Sequence, residues 1–389
     1  MKIIVYEWNQ LNDSIAEENF KRLGYEVEVF SREINHYTRD LDFASEMINR
    51  IHTSVIDAVF SFNYFPIISS VCNTVGIPYY SLVYDCPHLT LFSKTIYHDC
   101  NHVGCFDRSL VKRFRRMGIN SVSYIPIPVD VNYFSCKGSD YISDVSFVGS
   151  MYTDEHSYYD KLKVTPIEKA RMDSAVNEEV FNYYAKDIEL FFRDENDNID
   201  EALINYYEQL LRGEDLLPGD EYIEDVEYIF QSIVLRKQVT ILEREKLISK
   251  LSLMDNDFKL YSASRIDNPD INRVLMGVVD YKNQMPLVFK NSKVNINITL
   301  RSIQTGIPLR VLDILGCGGF CLSNYQRELE EELRLDEEIV VYKSYEECID
   351  KLNYYLKHDD ARSKIALAGK SAVADRFNYA SILGRLMNI

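Results

Sequence analysis

Apolar segments of strand length alternate with amphipathic segments of helix length along most of this chain, and that alternation limits its fold more than any single motif. In the first third, IIVYEW, YEVEVFS, VIDAVFSF, IPYYSLVYD, HVGCFD and VSYIPI follow one another with helical periodicity between them. Repeated β-α units with Gly or Pro punctuation predict an α/β protein built on a doubly wound, mostly parallel sheet. Such sheets bind ligands at the C-terminal ends of their strands. That rule directs attention to residues 7–13, 63–65 and 85–88.

The prolines of IPIPVDVNYF, 125–134, stop regular structure and predict a linker. A second series then begins with SFVGS and continues through FKLYSAS, VLMGVV, KVNINIT, GFCLSN and IVVYKS, followed by the helical stretches YEECIDKLNYYLK and ARSKIALAGKSAVADRF. The expected organisation is a first domain over 1–134, a second over 135–375 and a terminal helix over 376–389. Within the second domain the alternation lapses between 152 and 253, where helical periodicity predicts an insertion. Residues 151–250 hold 24 Asp plus Glu against 12 Lys plus Arg, so most of the net charge of −17 belongs there. This acidic helical segment is a candidate oligomer contact or acceptor clamp.

That net charge disfavours a nucleic-acid backbone or an anionic membrane face as partner. Eight cysteines form no CxxC pair and sit in apolar contexts, which predicts a reduced, cytoplasmic setting. No apolar run reaches the roughly 20 residues of a membrane span, leaving peripheral attachment as the membrane association to expect. His98, Cys100, His102 and Cys105 imitate metal spacing, but strand alternation sends them to different faces, and no metal site is expected. The basic run KRFRRM, 112–117, reads as the solvated face of a helix.

Residues 305–319, TGIPLRVLDILGCGG, lie between a strand and a glycine turn and aim a helix N-terminus at the mouth of the sheet. Helix N-termini present unpaired N–H groups and partial positive charge, which suits phosphate. Gly306 permits close backbone approach, Pro308 fits a first helical turn, and Arg301 and Arg310 offer paired donors to phosphate oxygens. Asp313, one turn deeper, can accept from ribose hydroxyls. Together these predict a nucleoside diphosphate site. The plainer alternative is that Gly306 and Pro308 punctuate the chain while Arg310 pairs with Asp313 on the helix surface. The run is neither a P-loop nor GxGxxG.

GVVDYKNQMPLVFKNSKVNINITLRSIQTGIPLRVLDILGCGGFCLSNYQRELEEEL resembles the nucleotide-sugar half of GT-B glycosyltransferases, specifically the bacterial CgeB-like, spore-maturation-type branch. VYDCPHLTLFSKTIYHDCNHVGCFD, 83–107, is similar to the N-terminal domain that accompanies it. The resemblance implies two facing Rossmann-like domains: a C-terminal one holding the nucleotide sugar, most often a UDP-sugar, and an N-terminal one holding a glycan, lipid or protein acceptor. It implies no required metal or other cofactor, and it leaves residues 152–253 unaccounted for. It also implies that Asp313 binds ribose, that Gly149 and Ser150 approach the diphosphate, and that Tyr261 and Tyr281 frame the base. Many retaining relatives carry a glutamate where this chain has Thr305, so the stereochemistry stays open. An inverting route needs a base in the cleft. Asp85 and His88 are the candidates, with Glu7 and Asp13 as weaker substitutes. Two alternatives remain, a non-catalytic binding partner of the same fold and a nucleotide-sugar epimerase.

Overall fold

The computed structural model describes residues 1–8, 13–131, 140–153, 158–182, 188, 205–206, 222–223, 225–264 and 266–388. The first six strands are β1 (Lys2–Tyr6), β2 (Glu26–Phe30), β3 (Ala58–Phe62), β4 (Tyr79–Val83), β5 (Asn101–Cys105) and β6 (Val122–Tyr124). They form one parallel sheet in the order β2-β1-β3-β4-β5-β6. AVFSF and YYSLV are buried at every position, as central parallel strands covered on both faces must be. EVEVF alternates acid with apolar residues and takes the edge.

The second sheet comprises β7 (Ser143–Val148), β8 (Phe258–Tyr261), β9 (Ser292–Asn297), β10 (Cys321–Asn324) and β11 (Val340–Tyr342), parallel in the order β11-β10-β9-β7-β8. VLMGVV, expected as a strand, is not one. Its Val274 carbonyl and Met276 N–H meet Leu260 in a single bridge, the Val274 N–H donates back to the Ile271 carbonyl, and Gly277 turns the chain at φ +83°. In both sheets the strand order reverses beside the first strand, which opens a crevice between β1 and β3 and another between β7 and β9.

Two helices tie the domains together. Helix Tyr379–Leu386 returns to the first domain and buries Tyr379, Ile382, Leu383 and Leu386 among Ile3, Phe20 and Phe60, each side chain worth about 1.5–3 kcal/mol. The second is a long helix running from Val226–Phe230 through a π-helical turn, Gln231–Leu235, into Arg236–Ser252. Tyr228, Ile229 and Ile233 belong to the first core, whereas Phe230, Val234 and Val239 belong to the second. A π-turn shifts the phase of a helix, as such turns do at functional sites, and here lets one helix serve two cores. Helix Pro166–Phe181 packs beside it through Met172, Val176 and Val180. The remainder of the expected insertion, including the loop 212–220, lies mostly outside the described residues.

Candidate functional site

The crevice of the first sheet opens into a cavity of ≈ 530 Å³ lined by residues that follow β1, β3 and β4, among them Trp8, Asn63, Phe65, Asp85 and His88. Asn63 holds φ at +59°, a left-handed conformation that asparagine tolerates better than most side chains. Its amide binds the next loop twice over. Nδ2 donates to Asp85 Oδ2 at 2.6 Å, and Oδ1 accepts from the backbone N–H of Tyr84 at 3.2 Å. Asp85 is thereby aimed, and it is exposed. His88 Nε2 lies 3.1 Å from the Tyr64 backbone nitrogen, 3.2 Å from the Tyr64 carbonyl oxygen and 2.7 Å from Thr90 Oγ1, so this nitrogen ties the ring into the loop. Burial holds this imidazole below its ordinary value, with neighbouring Asp85 pulling the other way. Of the two candidate bases, Asp85 stands free to take a proton, and His88 braces the loop. Glu7 is half-buried at the end of β1. Asp13 opens the helix Asp13–Arg22, and its side chain is outside the described atoms.

At the crevice of the second sheet, Gly149 and Ser150 follow β7, and Tyr261 closes β8, where its carbonyl accepts the Gly149 N–H at 3.0 Å. Arg244, which sequence reasoning passed over, sits beneath this loop. Its guanidinium donates to the carbonyls of Ser150 and, at 2.6 Å, Ile298, stitching the end of β7 to the end of β9. Arg244 is 7% exposed and, among the described residues, pairs with no carboxylate within ion-pair distance. Desolvation lowers its pKa, and the nearby cation Arg310 acts in the same direction. Beyond these carbonyls the guanidinium lies over the rings of Phe147 and Tyr152, and the Glu243 charge acts in its favour, so it is a buried cation held at the crevice by neutral groups and a carboxylate beyond ion-pair distance.

Helix Leu309–Cys317 begins one residue later than Pro308, which is its N-cap and supplies no side-chain cap; the Val311 N–H already donates to the Pro308 carbonyl at 3.1 Å, so it is the N–H groups of Leu309 and Arg310 that keep their capacity for an acceptor. Asp313 is buried at 1% exposure. It accepts from Tyr281 Oη at 2.9 Å and lies 3.5 Å from Arg310 Nη1. Burial raises its pKa to about 6 against the opposing pull of Arg310 and Tyr281. Tyr281 thus already occupies the carboxylate that a ribose hydroxyl would use.

Arg301, expected to reach phosphate, is held elsewhere. Its Nε donates to fully buried Glu243 at 2.9 Å, and its backbone N–H donates to Thr240 at 2.9 Å, so it braces its own loop. Thr305 and Gly306, expected at the phosphate mouth, instead meet the first domain. Thr305 Oγ1 lies 2.8 Å from both Asp107 Oδ1 and Glu328 Oε1. A Cβ on Gly306 would sit 2.7 Å from the Phe106 carbonyl oxygen. Asp107 and Glu328 are buried, and burial, reinforced by the Asp107 charge, raises Glu328 to about 7.

The metal-like quartet is dispersed among other partners. His98 Nδ1 meets Ser69 Oγ at 3.0 Å, Cys100 Sγ donates to the Ser69 carbonyl, and His102 stacks on Tyr80. Within the basic helix Arg108–Arg116, Arg113 pairs with Asp225 and Arg108 with Glu332. Glu243 and Arg244 went unnoticed because LEREK has the composition of a solvated helix face. Their one sequence signal is that they follow an apolar stretch and continue its helical phase.

Two Rossmann-like parallel-sheet domains, with the terminal helix crossing back to the first, define the GT-B fold of glycosyltransferases. Residues 241–388 match a glycosyl transferase-like family model. Among solved structures, the chain is similar to a glycosyltransferase from Rickettsia africae (TM-score 0.55, 11% identity, covering 100% of this chain and 97% of that one). It is also similar to sucrose-phosphate synthase from Thermosynechococcus elongatus (0.54, 9%, 100% and 98%). A third similar structure is Anabaena HepE in complex with UDP and glucose (0.52, 9%, 100% and 98%). No curated protein sequence matches the chain. Among the described residues, no helix is long and apolar enough to cross a membrane.

Proposed function

We infer that the protein is a metal-independent cytoplasmic glycosyltransferase that moves a sugar from a nucleoside diphosphate donor, a UDP-sugar, to an acceptor held in the first domain. The observation that carries this reading is Arg244, a buried cation at the β7–β9 crevice that, among the described residues, has no carboxylate within ion-pair distance. An anion at that point completes its environment, and Arg310 and the uncapped start of helix Leu309–Cys317 converge on the same region. Asp313 takes the ribose once Tyr281 yields its place. The Anabaena HepE structures that contain UDP or UDP-glucose support uridine as the base. The residue pattern around Arg310 and Asp313 supports the CgeB-like branch.

In the reaction, Asp85 accepts the proton of an acceptor hydroxyl as that oxygen bonds to the anomeric carbon. The bond from that carbon to the diphosphate oxygen breaks, and its electron pair leaves with the diphosphate. Arg244, Arg310 and the helix N-terminus stabilise the departing charge electrostatically. Asn63 aims the base, and effects of that kind are worth orders of magnitude in rate. Thr305, bound to Asp107 and Glu328, is a hinge contact between domains in this scheme and not a second donor carboxylate.

Incubation with a panel of nucleotide sugars tests the reading. Slow release of nucleoside diphosphate, accelerated by the correct acceptor, is expected, and Asp85→Asn should keep UDP binding while losing transfer. Binding without release across the panel would point to the non-catalytic partner, and donor isomerisation without an acceptor would point to the epimerase.

A further inference from the structure

The cavity of the first domain has a chemistry of its own. Trp8, Tyr37 and Phe65 form one aromatic surface. The Phe65 ring meets Trp8 edge-on at 5.5 Å and Tyr37 nearly parallel at 6.1 Å, and Tyr37 is 50% exposed at the mouth. Opposite stand the hydrogen-bonding groups of Asn63, Asp85 and His88. Among the described residues no lysine or arginine lines the cavity, and Arg32, in the adjoining pocket that shares Trp8, Tyr37 and Phe65, is paired with Glu46. The formal charge among its described lining residues is the Asp85 carboxylate, and burial of the His88 ring disfavours its charged form. The exposed His36 turns its Nδ1 to its own loop, accepting backbone N–H groups of Thr38 and Arg39 at 3.3 and 3.2 Å.

A ligand matched to these walls needs a C–H face for the aromatic side, hydroxyls for the polar side and no negative charge. We propose that the cavity is the acceptor subsite and takes a neutral pyranose, the terminal sugar of an uncharged glycan, with the ring against Tyr37 and Trp8 and one hydroxyl on Asp85. Phosphorylated and uronic acid acceptors are excluded by the carboxylate and by the lack of a cation to offset a second negative charge. The assignment rests on the transferase reading for its role as acceptor, whereas the sugar-binding chemistry stands on the cavity alone.

Trp8 is the only tryptophan in the sequence, so indole emission reports this cavity directly. Wild-type protein without nucleotide is titrated with the methyl glycosides of glucose, galactose, mannose and N-acetylglucosamine, with glucuronate and glucose 6-phosphate, and with an alkyl maltoside. At least one neutral glycoside is expected to change the emission saturably, at least tenfold more tightly than its anionic counterparts. Tyr37→Ala, at an exposed position, should weaken that binding at least tenfold. Equal or tighter binding of the anionic sugars, a response to the alkyl chain alone, or no response to any ligand would each overturn the proposal. Nucleoside diphosphate release, measured separately, separates the two readings. Release with no saccharide response refutes the neutral subsite and spares the transferase. A saccharide response without release from any donor does the reverse.

Discussion

Glu328→Gln is the perturbation whose consequence the structure specifies most fully. Thr305 Oγ1 carries a single proton yet lies 2.8 Å from a carboxylate oxygen of Asp107 and 2.8 Å from one of Glu328. Two such contacts are satisfied together only when one carboxyl supplies a proton of its own. Glu328 is that group. It is fully buried, its Oε2 finds no hydrogen-bond partner among the described residues, and Asp107 and Glu332 lie near it with Arg108 as the neighbouring cation. Its folded-state pKa of about 7 stands above the ordinary glutamate value of 4.5, so the folded protein holds this proton more tightly than the unfolded chain. The contribution is therefore complete below about pH 4.5 and is lost as pH climbs through about 7. At about 1.4 kcal/mol per unit, the interval is worth on the order of 3 kcal/mol. Urea unfolding across this pH range measures it. Wild type should lose stability toward alkaline pH, and Glu328→Gln, which keeps a neutral donor between the domains, should lose about 3 kcal/mol less over the same interval. Parallel curves for the two proteins would refute the reasoning, because Glu328 would then be ionised in the folded state.

Other outcomes follow from the same contacts. Asn63→Gly suits the left-handed backbone but removes buried hydrogen bonds to Tyr84 and Asp85, and should cost about 1–3 kcal/mol of stability and lower the transfer rate about 100-fold because Asp85 loses its guide; denaturation and initial rates check this together. Arg310→Ala should weaken UDP binding roughly tenfold or more in calorimetry with an unchanged circular dichroism spectrum. Gly306→Ala drives a Cβ against the Phe106 backbone and ring and should cost about 1–3 kcal/mol of stability, read as a lower denaturation midpoint. Added chelator should leave the rate unchanged, since Arg244 and Arg310 supply the positive charge.

Much of the architecture was legible because strand burial writes itself into composition. AVFSF and YYSLV are apolar at nearly every position, and all of their residues are buried. VLMGVV has the same composition but carries Gly277, and a single glycine in the left-handed region ended a strand that apolar content alone predicted. The site divided along a different line. Asp313 and Arg310 lie within one turn of a helix, so their proximity follows from spacing, whereas the partners of Thr305 come from Asp107 and Glu328, nearly 200 positions away in one case. Arg301 illustrates the same limit. Its residue type suits phosphate, and only the tertiary fold reveals Glu243 beside it. Glu243 and Arg244 on LEREK continue the phase of the apolar stretch before them, but their charged residue types hide a buried role that only the partners Arg301 and the Ser150 and Ile298 carbonyls disclose.

A crystal structure of the protein with UDP tests the division of labour between the domains most directly. The account predicts the diphosphate within hydrogen-bond distance of Arg310 and the first N–H groups of helix Leu309–Cys317, close to the loop that Arg244 braces, with a ribose hydroxyl on Asp313 where Tyr281 Oη now sits. UDP bound instead in the aromatic cavity beside Trp8, with Tyr281 still on Asp313, would contradict it.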